Sequence, residues 1–304
     1  MRCLTILLLF SFFVTGITGC GRTDGSEADN TNAGSEPSND VPEIAASVPE
    51  LDPKSQVIVD ALEIYRQSDA LLTDEWSRSY DEEIARVKVL DAPEVVEIVK
   101  RLNRAKQVGG FPPCTPDDAE EIHRLFCDRA AAAVQVIEAY DNAIEHFTLA
   151  GETERVNAIR PLRDQFKKDL NLSDTQLKYL ANPEAQWKAE VFAVTVDSRL
   201  HSRLNRAVLD VGLAPGNVLY IFPNLEDRWR GSSTPDVDFL GHSDTEGIHN
   251  MRLRFFYGRT HPKQTVLGQR VILTASNPIG FYCNGGPHAQ NSGQIRVTVV
   301  AMRP

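Results

Sequence analysis

The sequence predicts a multidomain α + β protein. An exported leader and a disordered tether precede an α-helical, bundle-like middle region (54–188) and a C-terminal antiparallel β-sandwich (189–304). Three observations predict this. An apolar run, Leu4 to Val14, follows a single positive charge at Arg2. Apolar residues then recur at three- and four-residue steps from Val57 onward, and after Trp187 they switch to a two-residue alternation. The formal charge of −10 is also divided unevenly along the 304 residues.

The leader spans residues 1–19. The eleven residues from Leu4 to Val14 rise about 16 Å as a helix, whereas a bilayer core is about 30 Å thick, so the run suits a secretory signal and is too short for a membrane span. Ile17-Thr18-Gly19-Cys20 closes it. This tetrapeptide resembles the bacterial lipobox. The resemblance implies cleavage before Cys20, diacylglycerol (and palmitate-class acyl chains) on Cys20, and a lipoprotein held in the cell envelope membrane by several acyl chains. Gly21 in place of an Asp implies sorting to the outer membrane, facing the periplasm or the cell surface. An ordinary cleaved signal with a chance Cys is the other reading.

Residues 20–53 are the tether. Gly21 to Pro53 contains no aromatic residue, and eight acids face a single Arg22, a net of −7. Such a segment buries too little apolar surface to fold and reads as a spacer reaching roughly 30 Å. An acidic calcium- or partner-binding tail is the alternative.

The helices are marked by their stripes and caps. Val57, Leu62, Ile64, Tyr65, Leu71 and Leu72 form the first stripe. Asp91 with Pro93 opens a helix carrying Val95 to Leu102 that stops at Gly109-Gly110, and Thr115-Pro116-Asp117-Asp118 opens a long one ending before Gly151. Pro161 is expected to kink or split the next segment, and Ser173 with Gln176 reads as a capping box. Glu120 and His123 share a helix face, yet Glu-x-x-His does not recur as a di-metal bundle requires, and a solvated flank is the simpler reading.

With Cys3 in the leader and Cys20 acylated, Cys114, Cys127 and Cys283 remain, an odd number in an oxidising compartment. A helix starting at Pro116 would separate Cys114 from Cys127 by about 15 Å, beyond the roughly 7 Å Cα limit, so no bond is expected between them. Whether Cys283 pairs is open.

Short strands follow in the last third: Val191 to Val196, Val218 to Phe222, Met251 to Tyr257, Gln269 to Ser276 and Gln294 to Met302, separated by turns such as Ala214-Pro215-Gly216-Asn217. Pro215-Gly216-Asn217, Gly268 before Thr274-Ala275-Ser276, and Asn284 followed by Asn291-Ser292-Gly293 and the strand Ile295 to Val299 together resemble the PA-IL-type galactose-binding bacterial lectins. The resemblance covers about 110 residues and implies a calcium-dependent, carbohydrate-binding sandwich, with calcium in the loop between Asn284 and Asn291-Ser292-Gly293. Here that site is degraded. Gly285 stands where the family has Asp, and only Gln290 and Asn291 remain as side-chain oxygen donors for an ion that collects six to eight oxygens.

A metal-free sugar site would use Asn284, His288, Gln290 and Asn291, with Tyr282 or Trp229 stacking on the ring. A loop closed by its own Asn-Ser-Gly turn, with the aromatics in the core, is the competing reading. His242, Asp244, Glu246 and His249 form a second set with zinc-ligand chemistry, or a solvated loop.

Residues 190–304 hold nine acids and twelve bases, eleven of them Arg, a net of +3, while the helical region holds −7. Arg199, Arg203, Arg206, Arg228, Arg230, Arg252, Arg254 and Arg259 can meet anionic envelope polysaccharide or dock on the acidic helices. The acidic overall balance and the exported address disfavour nucleic acid. No Gly-x-Ser-x-Gly, Walker loop, His-Glu-x-x-His or Cys-His pair with catalytic context occurs. The expected function is therefore that of a non-catalytic, membrane-anchored envelope lipoprotein binding a glycan or another envelope surface, or a structural lipoprotein whose sandwich has lost its ligand.

Overall fold

The computed structural model describes residues 52–90, 93–231, 236–243, 249–257, 263–285 and 288–304. The expected leader, Cys20, most of the tether, and Asp91, Asp244, Glu246 and Arg259 lie outside these residues. Glu50–Pro304 is one compact unit.

Five helices come first. α1 (Pro53–Lys88) starts at Pro53, and the Asp52 side chain accepts from the Lys54 N–H at 3.1 Å. α2 is Val95–Gln107. α3 (Pro116–Leu149) begins at the expected Thr115 cap, with Asp117 and Asp118 against the positive end of its dipole. α4 (Thr153–Leu170) runs unbroken through Pro161, so the expected split does not occur; the helix terminates at Asn171 in left-handed backbone. α5 (Asp174–Leu180) carries the Ser173–Gln176 capping box. Among the described residues no helix is long and apolar enough to cross a membrane.

The strands form antiparallel sheets. In the first, β1 (Lys188–Asp197), β11 (Ser292–Arg303), β3 (Val218–Pro223) and β9 (Gln269–Ile272) lie in the order β1-β11-β3-β9, and β4 (Trp229–Arg230) pairs with the start of β11. The second has the order β2-β10-β7-β8, with β2 (Ala207–Leu209), β10 (Ile279–Asn284), β7 (Arg252–Tyr257) and β8 (Lys263–Gln264). β5 (His242–Ser243) and β6 (His249–Asn250) form a small pair of their own.

Side-chain alternation assigns the cores. Val194, Val196, Leu219, Ile221, Val297 and Val299 of the first sheet share one cluster with Leu253, Phe255, Phe281 and Cys283 of the second. The opposite face of the first sheet, Val218, Tyr220, Ile272, Val300 and Met302, packs instead on Leu72, Phe111, Ile122, Phe126, Leu177 and Leu180 of the helical layer. Each fully buried side chain of this size contributes about 1.5–3 kcal/mol. Tyr80, Leu102 and Ala105 of α1 and α2 reach the inter-sheet core as well, so helices and sheets are not separately packed.

The segment joining α2 to α3 is fixed from both sides. The Tyr80 hydroxyl donates to the Gly110 carbonyl at 2.8 Å, and Phe111 stacks on Tyr220 with centroids 3.7 Å apart. The Phe111 N–H donates to the Gly268 carbonyl at 2.8 Å, and Gly268 sits at φ +69, where any Cβ would collide with the Phe111 backbone. Gly268→Ala should therefore lower the unfolding free energy by ~2–4 kcal/mol, from left-handed strain plus the clash, read as an earlier midpoint in chemical denaturation.

Candidate functional site

The loop between β10 and β11 contains a 3-10 turn, His288–Gln290. Its anchoring is internal. Asn291 is buried and its Nδ2 donates to the Ser198 carbonyl at 3.4 Å, while the Ser198 hydroxyl donates to the carbonyls of Ser292 (2.9 Å) and Gly293 (3.1 Å). Gly293, at φ +91, lets the Arg228 carbonyl approach where a Cβ would stand. The Asn-Ser-Gly turn thus closes the loop onto the segment after β1, as its local chemistry allows.

The sugar-stacking assignments do not survive this placement. Trp229 is 0% exposed and donates its Nε1–H to the Val196 carbonyl at 3.3 Å, inside the inter-sheet core. Tyr282 is 1% exposed, stacked on Phe256 with centroids 5.5 Å apart. Neither ring presents a face to a pyranose, because cross-strand packing uses both. Asn284 is half-buried at the end of β10, opposite Arg252, and Gln290 is exposed. Of His242, His249 and His288 only the backbone is described; the two former lie on the paired strands β5 and β6. No group of three or more His, Cys, Asp or Glu positioned for a metal occurs among the described residues.

A constellation of nucleophile chemistry lies elsewhere. On α3, His123 and Cys127 stand one turn apart, with Cys127 Sγ 3.4 Å from His123 Nε2; His123 Nδ1 lies 2.7 Å from the Tyr220 hydroxyl of β3. Trp187 meets the imidazole edge-on at 4.4 Å, and the Arg270 guanidinium lies 4.0 Å from the Phe126 ring centroid nearby. His123 and Tyr220 are 0% exposed. Burial, and secondarily Arg270, push the imidazole down to about 3; burial, and secondarily Asp128, push the Cys127 thiol up to about 12. A neutral imidazole and a thiol held protonated are poor partners for nucleophilic catalysis.

His123 is therefore not on a solvated flank with Glu120. Glu120 sits at the edge of α3, where its carboxylate accepts from the Ala189 N–H at 2.9 Å and from Lys188 Nζ at 3.2 Å. The i, i+3 step straddles the rim of the helix–sheet interface. Cys114, Cys127 and Cys283 are free thiols.

The arginines separate by surroundings. Arg230 pairs with Asp236, and Arg228 Nη1 donates to the Leu225 and Asp227 carbonyls. Arg203 and Arg206 lie exposed over the outer face of the second sheet, next to Arg254 of β7. Among the described residues none of these five is ion-paired to a helical carboxylate, so docking against the acidic helices is not what occupies them. The pairs that do join helices to the sheet region are Arg101–Asp238 (2.7 Å, largely buried) and Lys188–Glu120.

No protein-family model matches the chain, and no curated protein matches it.

Because the folded-state imidazole of His123 titrates far below its unfolded value near 6.5, the unfolded chain binds the extra proton between those values. Stability from this residue is present above about pH 6.5 and is lost as pH falls toward 3. His123→Gln should flatten the decline of the denaturation midpoint between pH 6.5 and 4 relative to the unsubstituted protein, and an unchanged slope would count against a neutral buried His123.

Proposed function

We propose that this chain is an exported envelope lipoprotein, anchored in the membrane through acylated Cys20, whose two antiparallel sheets form a lectin-like β-sandwich that binds an envelope surface without catalysis. The tether from Gly21 carries the body away from the bilayer, and the outer membrane is the favoured address. The observation that carries the binding reading is the outer face of the second sheet. The helical layer occupies the outer face of the first sheet, and Arg203 and Arg206 stand exposed over that of the second. A non-catalytic role is supported by the enclosure of Cys127, His123 and Tyr220, the thiol held near 12.

A second reading, a structural lipoprotein whose sandwich has lost its sugar ligand, is favoured by a specific observation: Trp229, Tyr282 and Asn291 are used up by packing and by the Ser198 clamp. Cys20→Ser should move the protein from the membrane to the soluble fraction; unchanged membrane fractionation would remove the lipid anchor from the proposal. A glycan array probed with the full chain, with and without EDTA, separates the two roles of the sandwich. Binding lost in an Asn284→Ala variant supports carbohydrate recognition by the 284–291 loop. Silence on every glycan assigns that loop to structure and leaves a non-glycan surface as the partner.

A further inference from the structure

The second sheet turns Leu253, Phe255, Tyr257, Ile279, Phe281 and Cys283 into the core, so Arg252, Arg254, Phe256, Gly280, Tyr282 and Asn284 point the other way. In register, Arg254 stands opposite Tyr282 and Phe256 opposite Gly280. The absent side chain at Gly280 leaves a slot filled by the stem of Arg206, whose Cδ is 2.9 Å from where a Cβ would stand. The Arg206 guanidinium lies 4.4 Å from the Phe256 centroid and that of Arg203 5.9 Å, beside the Phe256–Tyr282 stack. Burial pushes the Tyr282 phenol up, and the charges of Arg254, Arg203 and Arg206 around it act in the opposite direction.

Three guanidinium groups thus gather over the Phe256–Tyr282 pair. Among the described residues none of the three has a carboxylate partner and the buried Nε of Arg254 has no acceptor, while the Arg206 Nε–H donates to the Arg203 carbonyl at 3.1 Å. Aromatic stacking orients two of the planes and offsets part of their mutual repulsion, but it satisfies no N–H. An anion does both. A carboxylate brings one charge and one edge, whereas a phosphate monoester brings −1.5 to −2 and three strong acceptor oxygens, a match to several planar forks at once.

We propose that Arg203, Arg206 and Arg254, around Tyr282 on the outer face of the second sheet, form a binding site for a phosphate group. The assignment rests on the reading of that face as the binding side of the protein and names the chemistry it recognises. Phosphate can come free or on a lipid headgroup, and the two sources differ only in what surrounds the same oxyanion.

The test is calorimetric titration of the detergent-solubilised full chain at low salt with inorganic phosphate, acetate, and vesicles of phosphatidylcholine with and without phosphatidic acid. Phosphate is expected to bind more tightly than acetate. Arg203→Gln/Arg206→Gln should lose about tenfold or more in affinity, the scale of one charge-assisted hydrogen bond, with an unchanged thermal melt. Arg230→Gln, which removes an arginine already paired with Asp236, should bind normally. Should the double variant fail to fold, Arg203→Gln alone serves, since its side chain is exposed and the Gly280 slot is filled by Arg206. Binding seen only with phosphatidic acid vesicles, and lost in the variant, supports the site and assigns the headgroup as its source. Equal affinity for acetate, or equal phosphate and vesicle binding by the variant, overturns it. These outcomes do not depend on Cys20 or on the glycan array, so failure here leaves the anchored-lipoprotein reading standing.

Discussion

The rest of the structure depends on the first sheet being covered on both faces. β3 and β11 send Leu219, Ile221, Val297 and Val299 to one side and Val218, Tyr220, Val300 and Met302 to the other, and every one of these residues is buried. A sheet exposed on one side alternates apolar with polar residues; one buried on both becomes a near-continuous apolar run. Leaving either face bare would expose a contiguous apolar patch, so the helices are required for the sheets to persist. The joint is made by Phe111, which packs between Tyr220, Trp76 and Phe222 while its backbone pairs with Gly268 of the sheet region.

A buried sheet face made of aromatics brings polar atoms with it. The Tyr220 hydroxyl lies in the middle of the helix–sheet seam, and a hydroxyl left without a partner there costs ~1–3 kcal/mol. His123 supplies the partner, and Cys127 partners the other ring nitrogen. The same burial that makes this network worth satisfying disfavours both the imidazolium and the thiolate. What resembles a nucleophile and its base is, in energetic terms, a satisfied core hydroxyl. It also fixes the register of α3 on β3, since a sliding helix would lose the His123–Tyr220 hydrogen bond.

Much of this was legible in the sequence. The caps at Thr115 and Ser173 and the strands β1, β3, β7 and β11 follow from local chemistry and period. β10 was not read, because Ile279 to Cys283 is apolar without clear alternation and holds Gly280, which looks like a turn residue until Arg206 is seen lying across it. Pro161 predicts a kink or split by its local chemistry, yet α4 continues through it, tertiary context overriding local propensity. Trp229 and Tyr282 look like sugar platforms in the sequence because it shows an aromatic near a polar loop but not which side of the strand it occupies. Period two decides that side only once the register is known. The convergence of Arg203, Arg206 and Arg254 on Tyr282 spans about 80 residues of chain and has no local signature.

The division of charge follows from where the acids spend their partners. In the helices several carboxylates pair within their own element, as in Glu75–Arg78, Glu83–Arg86 and Glu97–Lys100, or with a neighbouring helix, as in Asp69–Arg129 and Asp141–Arg163. Such exposed pairs contribute little individually. Among the described residues two ion pairs cross to the sheet region, and one of them, Arg101–Asp238, takes an acid away from it. The positive excess of residues 190–304 is therefore not answered by the −7 of the helices. At physiological salt the field of an exposed charge fades over about 8 Å, so only acids within that range can compensate the arginines over the second sheet. A cluster of like charge left uncompensated by the protein that folds it is stabilised by what comes from outside, and on this body the outer face of the second sheet is where that excess is concentrated.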